Sequence, residues 1–180
     1  MKTLLLLAAM TPMFGADATV AKIYEDQLSG IEKEMVSLAE AMPADKYDFA
    51  PTAGAFQGVR TFAQQAKHTA AVLYMVSAAA MQQKPPVELN GENGPDGIKT
   101  KAQVVSFLKD AFAYAHKAMK SMTGANQVQM VKSPFGDEQE VRGNVASVAV
   151  WHSFDHYGQM VVYARMNNVV PPASMPQNGR

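Results

Sequence analysis

The sequence predicts an all-α protein, a four-helix bundle, on three observations. Apolar residues recur every three or four positions in four separate stretches, each stretch is about 20 residues long, and segments rich in proline and glycine divide them. No run of alternating apolar and polar residues competes with this reading, so no strand is expected. The chain has 180 residues, enough for one domain with a sizeable core and too few for two comfortable ones.

The first helix is expected from about residue 19 to 42. Val20, Ile23, Tyr24, Gln27, Leu28, Ile31, Met35, Leu38 and Met42 keep the helical period, and Pro43 stops it. Residues 44–57 carry Pro51, Gly54 and the turn formers Asp45 and Asp48, which makes them a connection across the end of the bundle. A second helix, rich in alanine and methionine, runs from about Val59 to Gln83 and ends before Pro85-Pro86. Residues 85–98 hold three prolines and Gly91, Gly94 and Gly97 with no periodicity. Such a loop is long enough to run the length of the bundle and leave helices two and three parallel. Thr100 is placed to cap a third helix that reaches Met122, with Val105, Leu108, Phe112, Ala115 and Met119 as its core stripe. Residues 124–143 are polar and broken by Pro134, Gly136 and Gly143, after which Asn144 is expected to cap the last helix.

The amino terminus reads as a targeting segment. Lys2 supplies a positive charge, Thr3 to Met10 form a short leucine-rich run, and Ala16-Asp17-Ala18 offers small residues at the positions a signal peptidase reads. The expectation is a signal peptide over 1–18, a single domain over 19–180, and export to the periplasm or beyond. The alternative is a cytoplasmic protein whose first helix merely begins with an apolar end. The run falls short of the roughly 20 residues a membrane span needs, so no stable membrane anchor is expected. Sixteen basic residues balance sixteen acidic ones, which argues against a nucleic-acid partner. With no cysteine in the chain, thiolate ligands and a cysteine nucleophile are excluded, and any metal must be held by nitrogen and oxygen.

Four histidines remain to be placed. His152 and His156 are four apart, only about 40° from each other around a helix, so both imidazoles can reach one point. Val145, Val148, Gln159, Met160, Tyr163 and Met166 share their face within about 60°, which puts the pair mid-stripe on a buried surface. Two buried imidazoles repel if both are charged, and each neutral ring still needs partners for its nitrogens; a divalent cation meets both needs. A pair bonded to core hydroxyls, or lying on an exposed face, is the alternative, and a metal needs at least a third ligand from another helix. His116 lies about 80° from the centre of its helix's apolar stripe, which favours a boundary position. His68 is admissible as the third ligand, because the second helix is apolar on more than one side.

Thr61-Phe62-Ala63-Gln64-Gln65-Ala66-Lys67-His68 on the second helix, followed by Val150-Trp151-His152-Ser153-Phe154-Asp155-His156-Tyr157-Gly158-Gln159 and its continuation to Tyr163 on the last, resembles the DinB (DinB/YfiT-like) family of metalloenzymes. The closing Asn168 to Ser174 and the segment Leu38 to Pro51 are similar to the same family. The resemblance implies that His68, His152 and His156 hold a divalent metal, that the helices run up-down-down-up, and that homodimers are frequent. His116 has no counterpart in the motif.

A three-histidine site keeps at least one coordination position open, the pattern of catalytic rather than closed structural zinc sites, and an ion there can lower the pKa of water or stabilise a substrate thiolate. Gln159, Asp155 and Tyr157 are the candidates for orienting the ligands, since a ligating histidine donates its other N–H to a carboxylate or carbonyl. Gln159 shares the histidine stripe, whereas Asp155 points about 100° from His156. The function expected is a metal-dependent hydrolase or thiol transferase acting on a small molecule. The alternative is a non-catalytic metal-binding or stress-associated bundle. Imidazole ligands suit zinc first, with nickel or iron next.

Overall fold

The computed structural model describes residues 19–176; the signal-peptide expectation for 1–18 lies outside them. Within that span four long helices, α1 (Val20–Ala41), α2 (Phe62–Ala80), α3 (Lys101–Lys120) and α4 (Arg142–Met166), are joined by loops, three short 3₁₀ turns and one small hairpin, β1 (Met130–Lys132) and β2 (Gln139–Val141).

Each helix begins for a local reason. The Thr19 side chain accepts from the Lys22 backbone N–H at 3.1 Å, and α1 then buries Leu28, Ile31, Met35, Leu38 and Ala39 at helical spacing. Helix α2 is shorter than the Val59 to Gln83 expected, because Thr61 and Gln64 form a reciprocal capping box that sets its start. At its other end Gln82 adopts φ 55°, which unwinds the chain before the prolines. Thr100 and Gln103 repeat the capping box on α3, as the sequence led one to expect for Thr100.

The start of α4 departs from expectation. Val141 rather than Asn144 occupies the cap, with no side-chain hydrogen bond. The hairpin explains this: the Arg142 and Gly143 N–H groups donate to the carbonyls of Gln129 and Gln127, both at 2.8 Å, so backbone supplies the acceptors a side-chain cap would have offered. Gly143 suits the close approach, since a Cβ there would sit 3.1 Å from the Gln127 oxygen and 3.2 Å from the Tyr24 hydroxyl. The hairpin itself corrects the expectation of no strand. Its antiparallel pairs are Met130 with Val141, Val131 with Glu140 and Lys132 with Gln139. Strands of three residues are too short to show alternation in sequence, and what holds them is the burial of Val131 against the bundle.

Long-range contacts give the helix directions. Lys101, at the start of α3, donates to the carbonyls of Glu40 and Met42 at the end of α1, while His116 near the end of α3 meets Glu25 near the start of α1. Those two helices are antiparallel. The Tyr24 hydroxyl donates to the Gly143 carbonyl, which puts the starts of α1 and α4 side by side. Arg142 at the start of α4 reaches Gln82 just past α2, and Gln159 near the other end reaches Gln65, so α2 opposes α4. The order is up-down-down-up, with α2 and α3 parallel. Helices α1 and α2 lie on a diagonal, each packed against both α3 and α4, and α2 is covered further by the 85–98 loop and β1, so that it is buried almost all round. Its alanines at 63, 66, 70, 71, 78 and 80 let neighbouring helices approach closely.

Where α1 leads into α2, Tyr47 packs edge-on against Phe62 with ring centroids 5.4 Å apart and donates its hydroxyl to the Ala39 carbonyl. This anchors the 44–61 connection over the end of the bundle. The long loop after α2 returns along the bundle, with Lys67 donating to the Pro95 carbonyl at 3.0 Å, and so lays Glu92 over the middle of α2.

Candidate metal centre

His68, His152 and His156 converge between α2 and α4. Each offers a ring nitrogen, and these atoms lie within 4.8 Å of one another. His68 and His156 are buried and His152 is partly so. The ring centroids are 5.0 Å apart for His68 and His152, 4.7 Å for His68 and His156, and 4.4 Å for His152 and His156. Helix α4 contributes two rings because they are one turn apart; α2 contributes the third because it runs antiparallel at that level.

The outward-facing nitrogens tell what the inward ones offer. His68 Nδ1 lies 2.7 Å from the Glu92 carbonyl oxygen, and His156 Nδ1 is hydrogen-bonded to Gln65 Oε1. A carbonyl oxygen only accepts, so in both rings the proton is on Nδ1 and the lone pair on Nε2. His152 Nε2 and His68 Nε2 face each other at 3.1 Å. This is how a histidine is held for a metal, its second N–H fixed on a carbonyl. Neutral imidazole nitrogens with no carboxylate among them suit a borderline divalent ion such as zinc, and three of them leave a coordination position free. The residues present therefore fit the ion that the sequence led one to expect.

Electrostatics agree. Burial, then the His68 charge, pushes His152 down to about 4. Burial, followed by His152 and His68, does the same for His156. His68 is also lowered, chiefly by burial, although its bond to the Glu92 carbonyl opposes this. All three rings are neutral at pH 7, ready to ligate without first losing a proton.

The expected orienting residues divide. Gln159 does not touch a histidine; it accepts from Gln65 Nε2 at 2.9 Å and so steadies the amide that holds His156. Asp155 stands one step further out, accepting from Gln159 Nε2 at 3.4 Å. Tyr157 lies apart from the centre beside Glu34 of α1; burial and then that carboxylate raise its phenol. Two orienting groups escaped the sequence reading. Gln65 carries a legible signal, since it sits three residues before His68 and shares its helix face. The Glu92 carbonyl carries none, because any residue at that point of the loop would present the same atom.

The fourth histidine sits elsewhere, as its boundary position suggested. His116 Nδ1 lies 2.8 Å from Glu25 and Nε2 2.9 Å from Glu32, a clamp between α3 and α1. Burial lowers its pKa, but the hydrogen bonds and charges of Glu32 and Glu25 outweigh it and leave the value raised. The linkage follows in sign: the folded state holds this proton more tightly than the unfolded chain, so the contribution is full below about pH 6.5 and is lost as pH rises through the raised folded value. His116→Gln is expected to cost about 1–2 kcal/mol in urea unfolding at pH 6, and clearly less at pH 9. Equal losses at both would show that the clamp is not ionic.

The family model of the DinB superfamily matches residues 27–160. The chain is similar in structure to a crystallised DinB-like protein from Bacillus cereus, with 12% identity over 86% of this chain and 97% of that one and a TM-score of 0.67; at that identity the likeness concerns the fold. No curated protein matches the sequence.

Proposed function

The chain belongs to the DinB superfamily, and from that premise we propose that it is a divalent-metal-dependent hydrolase or transferase of small molecules, with His68, His152 and His156 as the metal ligands. One observation carries the reading: the Nδ1 protons of His68 and His156 are fixed on carbonyl oxygens, which leaves both Nε2 lone pairs free, that of His68 facing His152. When bound, the ion supplies Lewis acidity at an open position. The protein's own residues do the rest. Gln65, braced by Gln159, and the Glu92 carbonyl hold two rings in one tautomer and one orientation, while burial keeps the rings neutral. Zinc is the ion proposed, with nickel or iron next in order.

Trp151, Phe154, Val162 and Met166 are exposed along the outer face of α4, which supports a homodimer formed through that helix. Export to an extracytoplasmic compartment rests on the sequence of residues 1–18 alone. Among the described residues no helix is long and apolar enough to cross a membrane.

Turnover of a panel of esters, amides and thiol acceptors, measured with zinc-loaded and with chelated protein, tests the catalytic reading. Zinc-dependent turnover of at least one class is expected. Stoichiometric zinc binding with no such turnover would instead favour the non-catalytic metal-binding bundle.

A further inference from the structure

Next to the histidines a cleft of about 420 Å³ opens to solvent, lined by Gly58, Val59, Arg60, Gln65, Asn93 and Gln159. Gln65 and Gln159 belong to both places: one face of this amide pair holds His156, and the other lines the cleft. The cleft is therefore separated from the proposed metal position by this amide pair and the His156 ring it holds. Arg60 is its cation. It shares the cleft wall with Gln65 and Gln159, the amide pair that holds His156. The side chain is half-buried, and its hydrogen bond is a long one, 3.4 Å from Nη2 to Asn93 Oδ1. Among the described residues no carboxylate lies within ion-pair distance of it. An arginine held at the mouth of a polar cleft with its planar fork unpaired is built to take an oxyanion in bidentate fashion.

We propose that this cleft is the substrate subsite and that Arg60 selects molecules bearing a carboxylate. The inference rests on the three-histidine centre being the site of reaction, and it specifies the class of molecule that reaches it. Charge decides for a carboxylate over a phosphate. In the metal-free protein the lining offers one cation, which balances a monoanion; the nearest lysine on α2, Lys67, is committed to the Pro95 carbonyl, and a phosphate dianion is left undercompensated there. Asn93 fixes the guanidinium from the loop side, which makes it a positioning residue.

Binding to the full chain, followed by NMR of the Arg60 Nε–H and the Gln65, Asn93 and Gln159 side-chain amides, provides the test. The probes are propionate, its neutral counterpart propionamide, and methyl phosphate, each titrated into metal-free and zinc-loaded protein. In the metal-free protein propionate is expected to shift these resonances and to bind at least tenfold tighter than propionamide. Arg60→Gln removes that preference, and Arg60→Lys, which keeps charge but loses the fork, retains part of it. Zinc content by elemental analysis is unchanged in both variants. Equal binding of acid and amide, a preference for methyl phosphate, or a preference that survives Arg60→Gln overturns the assignment. Because the metal-free arm does not depend on the ion, a protein that binds propionate through Arg60 but takes up no zinc would sink the metal reading and leave the subsite standing.

Discussion

His156→Ala is expected to abolish stoichiometric zinc binding and, with it, the stabilisation that zinc confers on the native protein. An ion that binds only the folded state stabilises it by about 4 kcal/mol when its free concentration is a thousand times the dissociation constant. The three rings come from two helices, so the ion ties α2 to α4 and the unfolded chain has no comparable site. Two remaining imidazoles from different helices hold a divalent ion far more weakly than three. The alanine variant also leaves a cavity, so the quantity to compare is the zinc-dependent increment of stability within each protein rather than total stability. Urea unfolding with and without zinc, alongside elemental analysis, measures it. Gln65→Ala is expected to weaken zinc about 10–100-fold without abolishing it, as loss of a ligand-orienting group does elsewhere. A wild-type protein that gains no stability from zinc, nickel or iron would remove the metal from the account.

Acidification of the metal-free protein is the second large effect. His152 and His156 are held down to about 4, whereas a histidine in the unfolded chain takes its proton near pH 6.5. Between those values the unfolded chain binds more protons than the folded one, so stability falls as pH falls. The loss begins near pH 6.5, is complete just below pH 4, and is on the order of 3 kcal/mol per ring before solvent screening of these partly exposed groups reduces it. His116 has the opposite sign, its contribution being full below pH 6.5, and it does not add to this acid loss. Unfolding of the metal-free protein at pH 7.5, 6, 5 and 4 shows the slope, and replacing both His152 and His156 by glutamine should flatten it. A variant that keeps the full slope would place the acid-sensitive groups elsewhere. Protons and metal compete for the same lone pairs, so zinc affinity should hold steady between pH 7.5 and about 6 and fall below about 5.

The parts of the fold that read correctly from sequence are those decided within one turn of helix. Thr100 announced its helix because the capping box is local, and the stripe of α1 announced its buried face because apolar spacing is local. Val59 failed as a helix start because Thr61 and Gln64 compete for the same role and win with two hydrogen bonds. Asn144 failed as a cap because its rival was a pair of carbonyls, Gln127 and Gln129, delivered by a hairpin too short to see. At the site, the spacing of His152 and His156 was legible in the sequence, whereas Gln65 was passed over although it shares a helix face with His68. Tyr157 is one residue past His156, yet a step of about 100° around the helix turns it from α2 toward α1.

The sequence by itself determined four helices, a histidine pair able to meet on one buried face, and a ligand set without thiolate, because periodicity, spacing and composition are properties of the chain alone. The tertiary structure decided which other groups meet them. Only the antiparallel packing of α2 on α4 brings His68 to His152, only the path of the 85–98 loop puts the Glu92 carbonyl on His68, and only the junction of α2, α4 and that loop sets Arg60 beside a polar cleft. Each of these contacts joins residues 24 to 94 positions apart in the chain. At such separations no local pattern constrains the pairing, and the burial of α2 on nearly every side selects it.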